Sequence, residues 1–435
     1  MTSTRPAIRH RRAQPTRLRA VPASAADSMP RTPGSTWALA LATLAVGTSG
    51  HAVTGLLPRM SADLHTSLAS VGQLVTVFAL TCALAGPVLA VATGRWERRT
   101  LLVAALLVAA AGNAAAALAP GFAVLAAARV VTALGAATAT AVAVGLAAET
   151  TAPHRRARAM AVVLTGIATA LLIGVPSANA AASLIGYHAV LALVAALCAV
   201  AAATVATVVP AVAAPPVLSL RERLAAAGQR RVLAVLGGGL LAWTSSFTVY
   251  PYLSAVAAHH AHGQGAPLTV LLAGYGVGAV TGNVLGGRAA DRFGPRAPMV
   301  AGNAGVAAVL LLLAPVVNSP IAGVVATVLW GVASWVINPA LNAWLVELSP
   351  HRSGLLLALA GSAIYLGMGL GGLVGGAVMI WTGVAALTPI AAAIAAVACA
   401  LLAVTGPAAP GLREDALPSH RSPVPEGASL QWPLR

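Results

Sequence analysis

The feature that most constrains this chain is an apolar run of membrane-crossing length that ends in a short polar or Gly/Pro break and then begins again, twelve times over. The runs fall at 37–57, 70–92, 100–118, 122–147, 159–183, 188–209, 232–257, 268–287, 298–317, 321–345, 355–379 and 384–405. Crossing a bilayer takes roughly 20 apolar residues. Lipid satisfies no backbone polar group, so segments of this kind must be helices. The strict alternation of a porin strand is absent. Hydrophobic residues make up 58% of the chain and charged residues only 8%, against about 25% charged in a soluble domain. So little polar material could not cover a soluble fold of this length. A soluble enzyme, a disordered chain and a nucleic-acid binder are therefore excluded. The expected fold is an all-α integral membrane protein with twelve transmembrane helices in two six-helix pseudo-repeats.

A net charge of +16 sits oddly on so oily a chain. All 26 basic residues are Arg, and twenty-four of them fall on one side of the predicted topology. They lie in the tail before span 1, in the loops after spans 2, 4, 6, 8 and 10, and in the tail after span 12. Arg59 alone lies on the other side, and Arg129 lies within span 4. The positive-inside rule then puts both termini in the cytoplasm, and an even number of spans agrees. The excess charge is an orientation signal rather than a nucleic-acid surface; a bacterial plasma (inner) membrane is the expected setting.

The remaining segments divide the chain. Residues 1–36 are Arg-rich and read as a disordered cytoplasmic tail; a transit peptide also fits by composition, whereas a cleaved signal lacks its apolar core. Residues 37–210 and 232–405 form two six-helix bundles. Residues 211–231 read as a linker holding a short amphipathic helix on the inner leaflet, and 406–435 as a second disordered tail. Cys82, Cys198 and Cys399 stand alone in apolar runs, with no metal or disulfide spacing. No cofactor is implied. The group His259, His260 and His262 suits a metal by composition or simply a solvated loop.

One loop occurs twice. Residues 286–296 read Gly-Gly-Arg-Ala-Ala-Asp-Arg-Phe-Gly-Pro-Arg, and 93–99 read Thr-Gly-Arg-Trp-Glu-Arg-Arg, in register at an offset of 197. Repeats of this size mark secondary transporters. Further motifs are Gly-Leu-Leu-Pro at 55–58, Ala-Asp-Leu at 62–64, Ala-Arg-Val-Val at 128–131, Gly-Val-Pro at 174–176 and Ser-Phe-Thr-Val-Tyr-Pro-Tyr-Leu at 246–253. On these residues, over about 37–405, the chain resembles the major facilitator superfamily. Within it, the chain is most similar to the twelve-span drug:proton antiporters of the arabinose-efflux and chloramphenicol-efflux type. The resemblance implies alternating access, a monomer, and an inner gate built on the repeated loop. Asp291, Arg292, Gly294 and Arg296 are its second copy, and Arg95 and Arg99 belong to the first. In that first copy Gly94 takes the place of the aspartate and Glu97 that of the glycine, so the clamp is weakened there or Glu97 replaces it. The resemblance also assigns Gly166, Gly174 and Pro176 to the span 5 antiporter motif.

Small residues at four-residue spacing let helices approach closely in lipid. Gly274, Gly278, Gly282 and Gly286 form such a stripe on span 8, Gly166, Ala170 and Gly174 on span 5, and Gly367, Gly371 and Gly375 on span 11. By resemblance, span 5 faces span 8 and span 11 faces span 2 between the halves. The stripes are thus expected at a moving interface, with static packing as the alternative.

Ionisable groups in mid-span are costly and therefore informative. None of the ten acids lies in mid-membrane. The branch commonly has an acid in span 1, where this chain has Gly50. The neighbouring His51 titrates near neutral pH and is a candidate for the proton role, or else a neutral residue lining the cavity. Arg129 by resemblance assists proton transfer; bracing the bundle is the alternative. Candidate cavity residues are Gln73, Asn113, Trp243, Tyr250, Tyr252, Trp335, Asn338, Asn342 and Tyr365. Rings and amides among apolar walls suit a small uncharged amphipathic compound. The expected function is export of such a compound in exchange for protons. A proton-independent facilitator, a sugar effluxer and a membrane sensor remain alternatives. A membrane enzyme has no HExxH, GxSxG or clustered Asp motif to rest on.

Overall fold

A computed structural model describes residues 33–152, 155–213, 229–261, 267–349 and 353–406. The Arg-rich first tail, the amphipathic helix expected around Arg221 and Arg223, His262, Arg352 and the tail from 407 lie outside the described residues.

The described residues are helical almost throughout. Spans 1 to 4 are Pro33–Asp63, Leu68–Ala92, Arg98–Ala117 and Phe122–Glu149. Span 5 begins as Arg156–Thr169, passes through a π-helical turn at Ala170–Gly174, and continues into the helix Val175–Val208. Eleven helices among the described residues are long and apolar enough to cross a membrane. One of them, Arg158–Val208, has 51 residues, roughly 75 Å at helical rise and more than twice a bilayer core. It is broken at Gly186, where φ 78° and ψ 161° are open to glycine but not helical. Spans 5 and 6 meet at that corner, and the count becomes twelve.

Span 7 is Arg230–Val249, a 3₁₀ turn Tyr250–Tyr252 and Leu253–Ala261; spans 8 and 9 are Leu268–Phe293 and Arg296–Val316. Span 10 divides into Pro320–Trp335 and Ile337–Leu348, span 11 is Ser353–Trp381, and span 12 is Leu387–Val404. The irregular turns follow from proline. Pro176 and Pro251 have no N–H to give the preceding turn, so the helix widens before one and tightens around the other.

Leu118, Leu184 and Ile321 are among many large apolar side chains left fully open, as lipid-facing positions require. Trp37, Trp96 and Trp381 are exposed near span ends, the place of an interfacial aromatic belt. Spans 1–6 pack among themselves and spans 7–12 among themselves. The halves meet where span 2 lies along span 11 and the π turn of span 5 lies on span 8. The face carrying the loops after odd-numbered spans is called outer below, following the arginine count.

Candidate functional site

The seam between the halves is closed near the outer face. Gln73 Nε2 of span 2 lies 3.3 Å from both the Tyr252 hydroxyl and the Gly372 carbonyl, and that hydroxyl donates to the same carbonyl at 3.0 Å. Asn179 of span 5 donates to the Gly55 carbonyl of span 1 at 2.7 Å and accepts from the Thr269 hydroxyl of span 8 at 2.6 Å. Glycine makes the closeness possible. A methyl on Gly276 would stand 2.5 Å from Leu172 Cα in the π turn. One on Gly369 would meet the Leu80 side chain, one on Gly372 the Thr76 hydroxyl, and one on Gly72 the Tyr252 ring.

Toward the other face the seam parts. Thr76, Leu80 and Leu84 follow one face of span 2, and exposure climbs from 2% at Thr76 to 70% at Leu84. Gly86 of span 2 and Gly361 of span 11 have nothing within 4 Å of an added methyl.

The three glycine stripes are not on this seam, and here the expectation of a moving interface is corrected. Methyls on Gly274, Gly278, Gly282 and Gly286 would strike span 10, at Thr327, Val328, Val332 and Val336. Gly166 and Gly174 abut Thr43 and Thr48 of span 1. Gly367, Gly371 and Gly375 abut Leu240, Thr244 and Thr248 of span 7. Each stripe welds two helices of one half. The cross-seam glycines, Gly276, Gly369, Gly372 and Gly376, lie on other faces of the same helices. Pro176 lies just past the π turn that touches Gly276.

His51 and Arg129 come together in the first half. The guanidinium donates to the carbonyls of Ser49 (2.8 Å) and Gly50 (3.1 Å) and lies 4.4 Å over the Phe78 ring. It is 1% exposed, with no carboxylate beside it among the described residues. Two charge-assisted bonds and a cation–π contact offset its desolvation. His51 Nδ1 lies 3.0 Å from the Gly47 carbonyl. A carbonyl can only accept, so Nδ1 carries the hydrogen and Nε2 is the nitrogen left to take a proton. The ring faces Phe247 of span 7 edge-on at 6.2 Å, across the seam. A methyl on Gly50 would sit 3.1 Å from the Phe78 edge, so Phe78 and Arg129 fill the surroundings of the absent acid.

The cavity candidates separate. Asn113 is fully buried, donating to the Ser49 hydroxyl (2.6 Å) and the Ala109 carbonyl; it braces span 1 and lines no cavity. Gln73 and Tyr252 belong to the outer seam. Asn338 and Asn342 are half-buried neighbours, with Asn342 Nδ2 3.4 Å from Asn338 Oδ1. Tyr365 is half-buried and its hydroxyl meets Thr140 of span 4, so the halves still touch at mid-span before they part further in. Trp335 meets Trp243 edge-to-face at 5.3 Å, and Tyr250 lies deeper, against Tyr275 at 4.5 Å. Sequence reasoning missed Asn179, Phe78 and Phe247. An amide within an apolar run was the available signal for Asn179, and for Phe247 the 246–253 motif that contains it; nothing marked Phe78.

On the inner side the repeated loops do related things. Arg296 Nε lies 3.5 Å from the Leu402 carbonyl and its terminal nitrogen bonds Ala403, at the end of span 12. Arg99, 197 residues earlier, lies 3.5 Å from the Val209 carbonyl at the end of span 6. Gly294 ends span 8 at φ 75°. Glu97, in the matching place, caps span 3 and holds the backbone N–H of Val212 at 2.9 Å. Asp291 and Arg95 are exposed, Asp291 has no ion pair among the described residues, and Arg292 lies over Phe293 at 5.2 Å.

Two six-span halves closed at one face and parted at the other, with few polar groups at the seam, define a membrane transporter. Comparison with known proteins gives the family. The major facilitator superfamily model matches twice, over residues 39–236 and 235–431, and the chain belongs to that superfamily. An uncharacterized MFS-type transporter of Bacillus subtilis, YbcL, is 30% identical over 78% of this chain and 87% of its own length. The inner membrane transport protein YdhP of Escherichia coli K12 is 26% identical over 79% and 88%. A chloramphenicol resistance protein of Streptomyces lividans is 38% identical over 24% of this chain and 27% of its own length. Among solved structures, the xylose transporter XylE from E. coli in a partially occluded inward-open conformation superposes with a TM-score of 0.65. It covers 85% of this chain and 96% of that one at 16% identity, a likeness of fold alone.

Proposed function

We propose that this transporter exports a small, largely uncharged amphipathic compound in exchange for protons, working as a monomer in a bacterial plasma membrane with both termini in the cytoplasm. The observation that carries the reading is the pairing at the seam. His51, with Nε2 free to take a proton, stands next to the carbonyls that Arg129 holds, and the five described acids all lie at span ends or in loops. A group that must change charge at mid-membrane is thus most readily His51. In the exchange His51 takes up a proton while the outer face is open, keeps it through closure and gives it up at the inner face as the compound binds there. In this reading the closed face is outer, the conformation is inward-facing, and Asp291 makes its clamp only when the inner side shuts. The partial likeness to a chloramphenicol resistance protein supports an amphenicol-like cargo.

A proton-independent facilitator of the same fold is favoured by one observation. Arg129 is already held by carbonyls and stacks on Phe78, with no carboxylate relay beside it. Expression in an efflux-deficient host tests export. Raised tolerance to chloramphenicol or another neutral amphiphile supports the proposal, and sensitivity unchanged across a broad panel at confirmed expression contradicts it.

A further inference from the structure

A cavity of about 420 Å³ lies at the closed end of the seam, and both halves line it. Span 1 gives Arg59, and span 5 gives Asn179 and Ser183. Span 7 gives Ser254, and span 8 its first residues, Leu268 and Thr269. Asn179 and Thr269, the pair that bridges the halves, thus lie in its wall. No acid is among the described residues that line it.

Three features of the lining point to one kind of ligand. Arg59 is exposed and has no ion pair among the described residues. It is the one arginine that the predicted topology puts on this face, against the orientation signal of the others. Span 8 starts at the cavity with Pro267 as its N-cap, which gives no side-chain bond to the first N–H groups. Val270 and Leu271 return theirs to the Pro267 carbonyl. Those of Leu268 and Thr269 are left at the positive end of a 26-residue helix. Ser254 lines the same cavity, and its hydroxyl is buried without a partner. A buried hydroxyl left unmade costs stability unless something fills the site.

We propose that this cavity binds the phosphate group of a phospholipid from the adjoining leaflet, and that the bound phosphate clips the two halves together at the closed face. Arg59 serves it from the first half. The Ser254 hydroxyl and the N–H groups that begin span 8 serve it from the second. A fixed cation and uncommitted donors without a carboxylate suit an anion and repel a cation. The surroundings select a lipid over a free ion. Prolines and alanines make up the rest of the lining, and Leu184, next to Ser183, is left open as lipid-facing positions are. Separating the halves here takes Arg59 away from Ser254 and span 8. The phosphate therefore has all its partners only in the closed arrangement, and favours that arrangement by the difference. The clip needs neither the proton nor the cargo proposed above.

The test uses the purified full-length chain in neutral maltoside micelles, titrated with dioctanoyl phosphatidylglycerol, dioctanoylglycerol or inorganic phosphate. The readouts are the thermal midpoint and the rate at which a maleimide labels a cysteine placed at Ala69, which the closed seam buries. Phosphatidylglycerol should raise the midpoint and slow labelling at least threefold. Dioctanoylglycerol, with the same chains and no phosphate, should do neither. Arg59→Gln should abolish the slowing, Arg59→Lys should keep part of it, and Ser254→Ala should reduce it. Slowing by dioctanoylglycerol, or undiminished slowing in Arg59→Gln, overturns the site. Inorganic phosphate acting as strongly as phosphatidylglycerol overturns the lipid as its ligand. A raised midpoint with labelling unslowed overturns the clip.

Discussion

Gln73 and Tyr252 belong to different halves of the protein and meet on one carbonyl, that of Gly372. Alternating access requires the halves to separate here, so this junction weights the balance between states. Each neutral hydrogen bond contributes about 0.5–1.5 kcal/mol net. Tyr252→Phe removes the hydroxyl that both donates and accepts. The expected shift toward the outer-open state is about 1–2 kcal/mol, roughly 5- to 30-fold. Labelling of a cysteine placed at Ala69, buried beside Gln73 at the outer end of the seam, should accelerate accordingly. An unchanged labelling rate would remove the junction from the gate.

Glycines of one helix should behave differently according to what they face. Gly276→Val meets the π turn of span 5 across the seam and obstructs closure. Transport should fall more than tenfold while the thermal midpoint stays near that of the parent. Gly278→Val strikes the backbone of span 10 within the same half, and should lower the midpoint or prevent folding. Equal effects of the two on stability would contradict the division into welded and moving contacts.

Arg129 is matched to its site by shape as well as charge. Lysine keeps the charge but cannot reach two carbonyls while lying flat on Phe78. Charge-assisted bonds are worth about 1.5–3 kcal/mol each, so Arg129→Lys should cost about 2 kcal/mol and show as a lower thermal midpoint. Phe78→Leu removes only the ring contact and should cost about 1 kcal/mol. A midpoint unmoved by Arg129→Lys would remove the bracing role.

Glu97 carries a pH dependence confined to acid. Partial burial raises its carboxyl, but the Thr100 hydroxyl and the N–H groups of Thr100, Val212 and Arg99 outweigh this and hold it at about 2, from an ordinary 4.5. A group depressed on folding contributes stability above its unfolded value and loses it as pH falls through the folded one. The tie between span 3 and the segment after span 6 should therefore be intact at neutral pH and weaken between about pH 4.5 and 2. Amide exchange at 209–213 should rise over that interval in the parent, and be raised already at pH 7 in Glu97→Ala.

The spans were legible because lipid leaves a chain no alternative to the helix. The internal repeat was legible because one charged loop was copied. Which face of a helix meets which neighbour was not. Span 11 carries glycines at 367, 371 and 375 and also at 369, 372 and 376. Spacing marks both sets as close contacts, but only the fold assigns the first to span 7 and the second to span 2. Asn113 and Asn342 are the same residue type in apolar runs. One holds Ser49 in the interior and the other stays half-open beside Asn338, a difference set by helix rotation rather than by local sequence.

The central claim is that His51 carries the proton, and the direct measurement is substrate-induced collapse of a pH gradient in inverted membrane vesicles. The parent should discharge an imposed gradient when chloramphenicol is added. His51→Ala should not, although the compound still binds. Gly50→Asp in that background should restore part of the discharge, by placing a carboxylate one residue away and next to Arg129. Full discharge by His51→Ala, at parent expression and with parent-like dependence on the compound, would contradict the account.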